Sequence, residues 1–162
     1  MGAKTPFFLA LAILVTAVAS IAGAFLFEAF GYAPCELCLE ERIPYYAAIP
    51  IAGLALVFAA RGSKTLLRAA FASLAMVFAA SAVFGAYHAG VEWGFWPGPA
   101  ECTGTLDRAA SAEDFLKQLG SVKVVRCDAA AIRILGLSLA GWNAVTSVGL
   151  AGLAVLGLRA KP

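Results

Sequence analysis

Four long apolar stretches divide the sequence, and they predict four membrane-spanning helices. These stretches cover about residues 7–27, 43–60, 66–88 and 137–158. Each is close to the roughly 20 residues that an α-helix needs to cross the hydrocarbon core of a bilayer. The pattern therefore predicts an all-α integral membrane protein, a four-helix bundle that forms a single domain over residues 1–162.

The first apolar stretch also begins like a cleavable secretion signal. Lys4 precedes an apolar run, and Ala17-Val18-Ala19 stands before Ser20. The run continues without a charge to Phe27, which is longer than the apolar region of a signal peptide. We therefore expect a retained spanning helix rather than a cleaved signal.

The distribution of charge predicts the orientation of the bundle. Both tails and the short connection from Arg61 to Arg68 contain basic residues and no acidic ones, whereas all acidic residues, from Glu28 to Asp128, lie in the connections 28–42 and 89–136. Lysine and arginine in short connections mark the cytoplasmic side of a membrane. We expect both termini in the cytoplasm and the other two connections outside it. The net charge of +2 is too small to indicate a nucleic-acid partner.

All four cysteines fall in the two outer connections. Cys35 and Cys38 lie in the first, and Cys102 and Cys127 lie in the second. Disulfides persist outside the cytosol, so the compartment permits redox chemistry at all four. The separation of Cys102 and Cys127 does not match the paired spacing of common zinc sites.

The sequence around Cys35 and Cys38 favours a redox-active pair. Pro34 can open a helix, which would place both cysteines at a helix N-terminus, where the macrodipole favours a thiolate. Arg42 follows Cys38 by four residues, so we expect its guanidinium to stabilise that thiolate. The alternatives are a structural disulfide or half of a zinc site for the cysteines, and a membrane-surface anchor for Arg42.

Other polar residues of the outer connections are harder to assign from the sequence. We expect Glu36, Glu40 and Glu41 to be solvated charges rather than acid–base catalysts. His88 is the only histidine and ends the third apolar stretch. It could hydrogen-bond a polar ligand at the membrane surface or cap a helix end, and the sequence favours neither.

The second outer connection is expected to contain a short amphipathic helix on the membrane surface. Ser111 and Asp114 have the spacing of a capping box, and Gly120 can end the helix. Cys102 and Cys127 flank this helix on polar, mobile strands. Such a placement suits a disulfide that tethers a loop and that a partner protein can open.

Five pieces of the sequence occur in an order typical of one family. They are Pro34 to Cys38 with Glu41-Arg42, His88, Pro97 to Cys102, Cys127-Asp128, and Gly136 to Asn143. In this order they resemble the disulfide bond formation protein B (DsbB) family, and they touch every part of the chain except the first apolar stretch.

The resemblance implies a bacterial inner-membrane oxidase that takes electrons from a periplasmic dithiol protein similar to DsbA. The acceptor would be membrane quinone, either ubiquinone or menaquinone. The resemblance assigns Cys102–Cys127 to exchange with the partner and Cys35–Cys38 to exchange with quinone. It also implies that Arg42 and His88 lie near the quinone head. The sequence carries no flavin, haem or metal signature.

Two other functions are compatible with parts of the sequence. One is a vitamin K epoxide reductase-like enzyme, but in that family the loop cysteines precede the C-x-x-C pair, and here the C-x-x-C pair comes first. The other is a non-enzymatic membrane subunit with structural disulfides, which would not need Arg42 one turn from Cys38. Pro44 and Pro50 interrupt the second stretch early, so the sequence leaves the helix geometry beneath the site open.

Overall fold

The computed structural model describes residues 4–99, 111–113 and 125–160. The elements in this part of the chain are α1 (Thr5–Ala29), α2 (Glu36–Glu40), α3 (Ile43–Arg61), α4 (Lys64–Glu92), β1 (Arg133–Ile134), β2 (Leu137–Ser138) and α5 (Leu139–Arg159). The helices long and apolar enough to cross a membrane are α1, α2 together with α3, α4, and α5. The predicted all-α, four-helix class is therefore confirmed.

The helices pack around an apolar core to which each of the four spans contributes. Small residues form much of it, and larger side chains fill the remaining space; the buried members include Ala10, Ile13, Ala17, Ala48, Ala52, Ala55, Phe71, Leu74, Phe78, Leu150 and Ala154. The most extensive helix–helix contact is between α4 and α5. At Gly157 of α5 an added Cβ would overlap the ring of Phe71, so the absence of a side chain allows the two helices to approach closely.

A small polar network lies inside this core and joins three spans. The Tyr45 hydroxyl of α3 donates a hydrogen bond to Asn143 Oδ1 of α5 at 2.6 Å. Ser147 Oγ lies 3.2 Å from the same hydroxyl and 2.9 Å from Ser81 Oγ of α4. Polar groups within a bilayer need internal partners, so these contacts favour one relative placement of α3, α4 and α5.

The second span is interrupted before its prolines. Helix α2 ends at Glu40 and α3 begins at Ile43, and the N–H of Arg42 donates to the carbonyl of Leu39 at 3.2 Å. Pro44 lies in the first turn of α3, where a missing N–H removes no helical hydrogen bond. Pro50 lies inside α3. The break beneath the site is therefore at residues 41–42.

Helix ends near the site differ from the sequence-based boundaries by up to four residues. Helix α4 continues to Glu92, so His88 lies inside it. Residues 137–138 form β2 of an antiparallel hairpin that the sequence analysis did not predict.

Of the surface helix expected from Ser111 to Gly120, the structure describes residues 111–113, which are exposed, and 112–113 are helical. Cys102 lies outside the described residues.

The chain direction places the chemistry at one end of the bundle. Contacts between Glu28 and Arg42 and between Glu41 and His88 bring together the ends of α1 and α4 with the start of the second span. Helix α5 begins at this same end, since Leu139 shares a cavity with those residues. The start of α1 and the end of α5 therefore lie at the opposite end of the bundle.

We expect Gly157→Ala to destabilise the protein by about 1–3 kcal/mol, because the new methyl group would overlap the fully buried Phe71 ring. Gly152→Ala on the same helix is the matched control, since nothing lies within 4 Å of its added Cβ. A helical Gly→Ala change without strain is neutral or stabilising by about 0.4–1 kcal/mol. Thermal unfolding in detergent measures both variants, and equal transition temperatures would contradict the close approach of α4 and α5.

Candidate functional site

Cys35 and Cys38 face each other across the first turn of α2. Cys35 precedes the helix with an extended backbone, and its Sγ accepts a hydrogen bond from the Cys38 N–H at 3.2 Å. Both cysteines are free thiols. A hydrogen bond from the Cys38 side chain lowers the pKa of the Cys35 thiol below its ordinary value, against the opposing effect of burial. Contacts from Cys38 therefore favour a thiolate at Cys35, and the thiolate expected at Cys38 remains a prediction.

His88 joins the cysteine pair to a carboxylate. Its side chain is 1% exposed, with Nε2 3.7 Å from Cys35 Sγ and the Nδ1–H donating to Glu41 Oε1 at 2.8 Å. Because α4 continues four residues beyond it to Glu92, His88 does not cap the helix end. The interpretation of His88 as a capping residue is therefore wrong.

Glu41 is a site residue that the sequence analysis missed. We expected a solvated charge, but Glu41 is only 9% exposed and is hydrogen-bonded to His88, whereas Glu36 and Glu40 are exposed. The spacing contained a signal, since residues three apart share a helix face and Glu41 follows Cys38 by three. Its histidine partner on another span could not be read from that spacing.

Arg42 is placed differently from the prediction. Its Nη2 lies 2.6 Å from Glu28 Oε1, its side chain is 12% exposed, and the guanidinium carbon lies 5.4 Å from the centre of the Phe25 ring. The expected charge partner was Cys38. The ion pair that the structure gives to Arg42 is with Glu28 at the end of α1, which supplies a full negative charge.

Cys127 is buried instead of lying on an exposed polar strand. It is 1% exposed and packs in one apolar cluster with Cys35 and Leu37. Cys127 is disulfide-bonded in the structure. The expected pairing with Cys102 remains a prediction, because Cys102 lies outside the described residues. The polar sequence around Cys127 hid its burial, which depends on the apolar surface that α2 and α4 present to it.

A cavity of about 340 Å³ lies beside these residues, between the ends of α1, α3, α4 and α5. Its wall is mostly apolar and includes Cys35, Cys38, Arg42 and His88. Its volume is near the lower end of ordinary ligand pockets, which span about 300–1,000 Å³. The cavity therefore has room for a small apolar ring beside the two thiols.

Two further residues of the cavity wall contain polar atoms that lack a hydrogen-bond partner. They are Glu92 Oε2 and Asn143 Nδ2, which are buried and without a partner within the described part of the chain. Buried polar atoms are usually paired. One is an acceptor or a proton carrier and the other is a donor, so the wall can hydrogen-bond an oxygen-bearing ligand.

Comparisons with known proteins identify the family of the chain. The chain is 28% identical over 151 residues to an uncharacterized protein of Rickettsia prowazekii (strain Madrid E), covering 91% of this chain and 84% of the relative. No solved structure matches the chain. The family model described as disulfide bond formation protein DsbB matches residues 6–157, so the chain belongs to the DsbB family and is a disulfide oxidoreductase with a role in disulfide bond formation.

Proposed function

We propose that this protein oxidises a periplasmic dithiol protein similar to DsbA and passes the two electrons to membrane quinone. The observation that carries the proposal is that Cys127 and Cys35 belong to the same buried cluster. Cys127 belongs to a disulfide of the second outer connection, whereas Cys35 and Cys38 line a cavity at the ends of spanning helices. Electrons can thus pass from a loop disulfide to a membrane-end pair by direct thiol–disulfide exchange.

The proposed orientation follows from the charges at the two ends of the bundle. The end opposite the cysteines carries Arg61, Lys64 and Arg159, with no acidic residue in its connections. Positive charge of this kind marks the cytoplasmic side. We place the protein in the bacterial inner membrane with both termini in the cytoplasm and the cysteines on the periplasmic side.

The first exchange transfers two electrons from the partner to the chain. A partner thiolate attacks Cys102 of the Cys102–Cys127 disulfide, and Cys127 leaves as a thiolate. The second partner thiol resolves the mixed disulfide and releases Cys102, so the partner gains a disulfide and this chain gains two thiols. Burial of Cys127 supports Cys102 as the attacked sulfur, because attack requires access.

The second exchange moves the same electrons inward. The Cys102–Cys127 dithiol reduces the Cys35–Cys38 disulfide and becomes a disulfide again. After this step Cys35 and Cys38 are thiols and the Cys102–Cys127 disulfide is restored. The inner pair then holds two electrons and two protons beside the cavity.

The cavity fits a quinone head group. Its apolar wall suits the ring, and the Arg42 guanidinium and the unpaired Asn143 Nδ2 can donate hydrogen bonds to quinone oxygens. At about 340 Å³ the cavity is too small to hold a long isoprenoid tail in addition to the ring, so the tail of the quinone would extend into the lipid. When bound, quinone would supply an acceptor for two electrons and two protons.

The chain's own residues prepare the inner pair for this reaction. His88 Nε2 is placed to take the proton of the Cys35 thiol, and Glu41 at Nδ1 stabilises the resulting positive charge. Glu28 acts as a positioning residue, since its ion pair keeps the Arg42 guanidinium at the cavity wall. A histidine and a guanidinium thus line the cavity, where they could stabilise negative charge on a bound quinone.

A reconstituted reaction tests the proposal. Purified protein is mixed with a reduced DsbA-like dithiol protein and quinone, and both thiol loss and quinol formation are followed. We expect one quinol for each disulfide formed in the partner, with Cys35→Ser as the inactive control. Loss of partner thiols without quinol formation would overturn the quinone-linked function, and cysteines that stay oxidised throughout turnover would favour purely structural disulfides.

Arg42→Met should raise the quinone concentration needed for half-maximal rate about tenfold, because a hydrogen-bond donor and a charge near the developing quinone anion are lost. Arg42→Lys should fall between Arg42→Met and the parent, since it keeps the charge without the planar fork. Arg61→Met at the opposite bundle end is the matched control. A quinone titration measures all three, with single-turnover reduction by the partner as a quinone-free reference. Should Arg42→Met match the parent at every quinone concentration, Arg42 only anchors the protein at the membrane surface.

Cys127→Ser, mixed with the partner in its disulfide form, should accumulate a mixed disulfide through Cys102. The free Cys102 thiolate attacks the partner disulfide, a partner thiolate leaves, and no Cys127 thiol remains to expel the partner. Non-reducing electrophoresis and peptide mapping identify the adduct. Cys102→Ser should yield no adduct at Cys127, since Cys127 is only 1% exposed and lies within a buried cluster. A partner adduct found only at Cys35 or Cys38 would show that this division of roles is wrong.

Glu41→Ala should alter the environment of the His88 ring and slow quinone reduction about tenfold, because a buried charged hydrogen bond worth about 1.5–3 kcal/mol is lost. His88 is the only histidine, so its ring nitrogens can be observed by NMR in ¹⁵N-histidine-labelled protein without assignment. Glu40→Ala, at an exposed neighbouring position, should leave the ring signals unchanged. Identical spectra for Glu41→Ala and the parent would contradict the His88–Glu41 hydrogen bond.

A further inference from the structure

Three potential metal-ligand atoms converge at the site. The Sγ atoms of Cys35 and Cys38 and a ring nitrogen of His88 all lie within 4.8 Å of one another. Cys35 Sγ and His88 Nε2 are 3.7 Å apart. A tetrahedral zinc ion with bonds of about 2.3 Å to sulfur and about 2.0–2.1 Å to nitrogen places these two atoms about 3.6 Å apart. The spacing of this sulfur and this nitrogen therefore matches such an ion, and the Sγ of Cys38 lies within 4.8 Å of both atoms.

The other ring nitrogen of His88 is already oriented as in metal sites. Its Nδ1–H donates to Glu41 Oε1 at 2.8 Å, which leaves the lone pair of Nε2 directed at Cys35. Histidines that bind metals usually donate their second N–H to a carboxylate or a carbonyl, and this contact fixes the tautomer and the ring orientation. Glu41 is thus in place to hold the ligand before any ion arrives.

The donor set indicates the class of ion. Two thiolates and one imidazole favour thiophilic cations such as Zn²⁺, Cd²⁺ and Cu⁺, and disfavour Mg²⁺ and Ca²⁺. Two thiolates also balance the charge of a divalent ion in a buried position. All three residues line the cavity, so a fourth position remains open to water or another small ligand, as in sites with three protein ligands.

We propose that the reduced Cys35–Cys38 pair and His88 form a binding site for one thiophilic divalent cation, with Zn²⁺ as the reference ion. Binding displaces the two thiol protons and forms two metal–sulfur bonds and one metal–nitrogen bond, with no change in oxidation state. The oxidised pair has no thiolate to offer, so the disulfide and the metal exclude each other. An occupied site holds the pair reduced, and under the proposed function it stops turnover until a chelator removes the ion.

Metal titration of the detergent-solubilised full chain tests the binding without quinone or partner, so its outcome is independent of the proposed function. Co²⁺ serves as the spectroscopic probe, and Zn²⁺ affinity is measured by competition with a chromogenic chelator. We expect one ion per reduced chain, with the intense visible bands of tetrahedral Co²⁺ and a thiolate-to-metal charge-transfer band, and no ion after oxidation with diamide. Equal binding by oxidised and reduced protein would overturn the proposal.

Variants locate the ion and guard against folding defects. The double variant Cys102→Ser with Cys127→Ser should keep one ion, since the proposed site uses neither sulfur. Loss of the ion in this variant would show that the ion binds Cys102 and Cys127, and would overturn the proposal. His88→Ala should change the cobalt spectrum and weaken Zn²⁺ binding more than Glu41→Ala, for which loss of the orienting carboxylate predicts about 10–100-fold. Glu40→Ala is the matched control and should bind as the parent does. Unchanged Zn²⁺ affinity in both His88→Ala and Glu41→Ala would reduce the site to an ordinary dithiol and overturn the role of His88.

Discussion

The hydrogen bond between His88 and Glu41 is the interaction on which the geometry of the site depends. It joins α4 to the turn between α2 and α3, and both side chains are almost completely buried. A buried carboxylate or imidazole without a partner costs several kcal/mol, so any shift of one helix end relative to the other would leave one of them unpaired. The pair therefore holds Nε2 beside Cys35 and fixes the end of α4 against the cysteine segment.

The bilayer explains why so much polar chemistry is concentrated at one end of the bundle. Polar groups inside the hydrocarbon core need internal partners, and Tyr45 with Asn143 and Ser147 meets that requirement deeper in the bundle. At the cysteine end the same requirement is met by charged pairs, His88 with Glu41 and Arg42 with Glu28. The two thiols thus lie where charge can be stabilised, beside a mostly apolar cavity.

The redox function and the metal site use the same atoms in different electronic states. As a disulfide, Cys35 and Cys38 offer no thiolate and can only accept electrons. As a dithiol held beside His88, they form a donor set that can lose electrons or bind a cation. The feature common to both is the 3.7 Å approach of His88 Nε2 to Cys35 Sγ, which supports proton transfer as well as metal coordination.

The amino-acid pattern alone predicted the number of spans and their approximate positions, because crossing a bilayer requires about 20 consecutive apolar residues, and such runs are visible without knowing any contact. It also identified the cysteines, His88 and Arg42 as candidates, through spacing and resemblance. It could not determine their partners. His88 meets Glu41 across 47 residues and Cys35 across 53, and Glu28 replaces Cys38 as the partner of Arg42. The burial of Cys127 has the same origin. These contacts depend on which helix ends lie side by side, and only the packing of the bundle decides that.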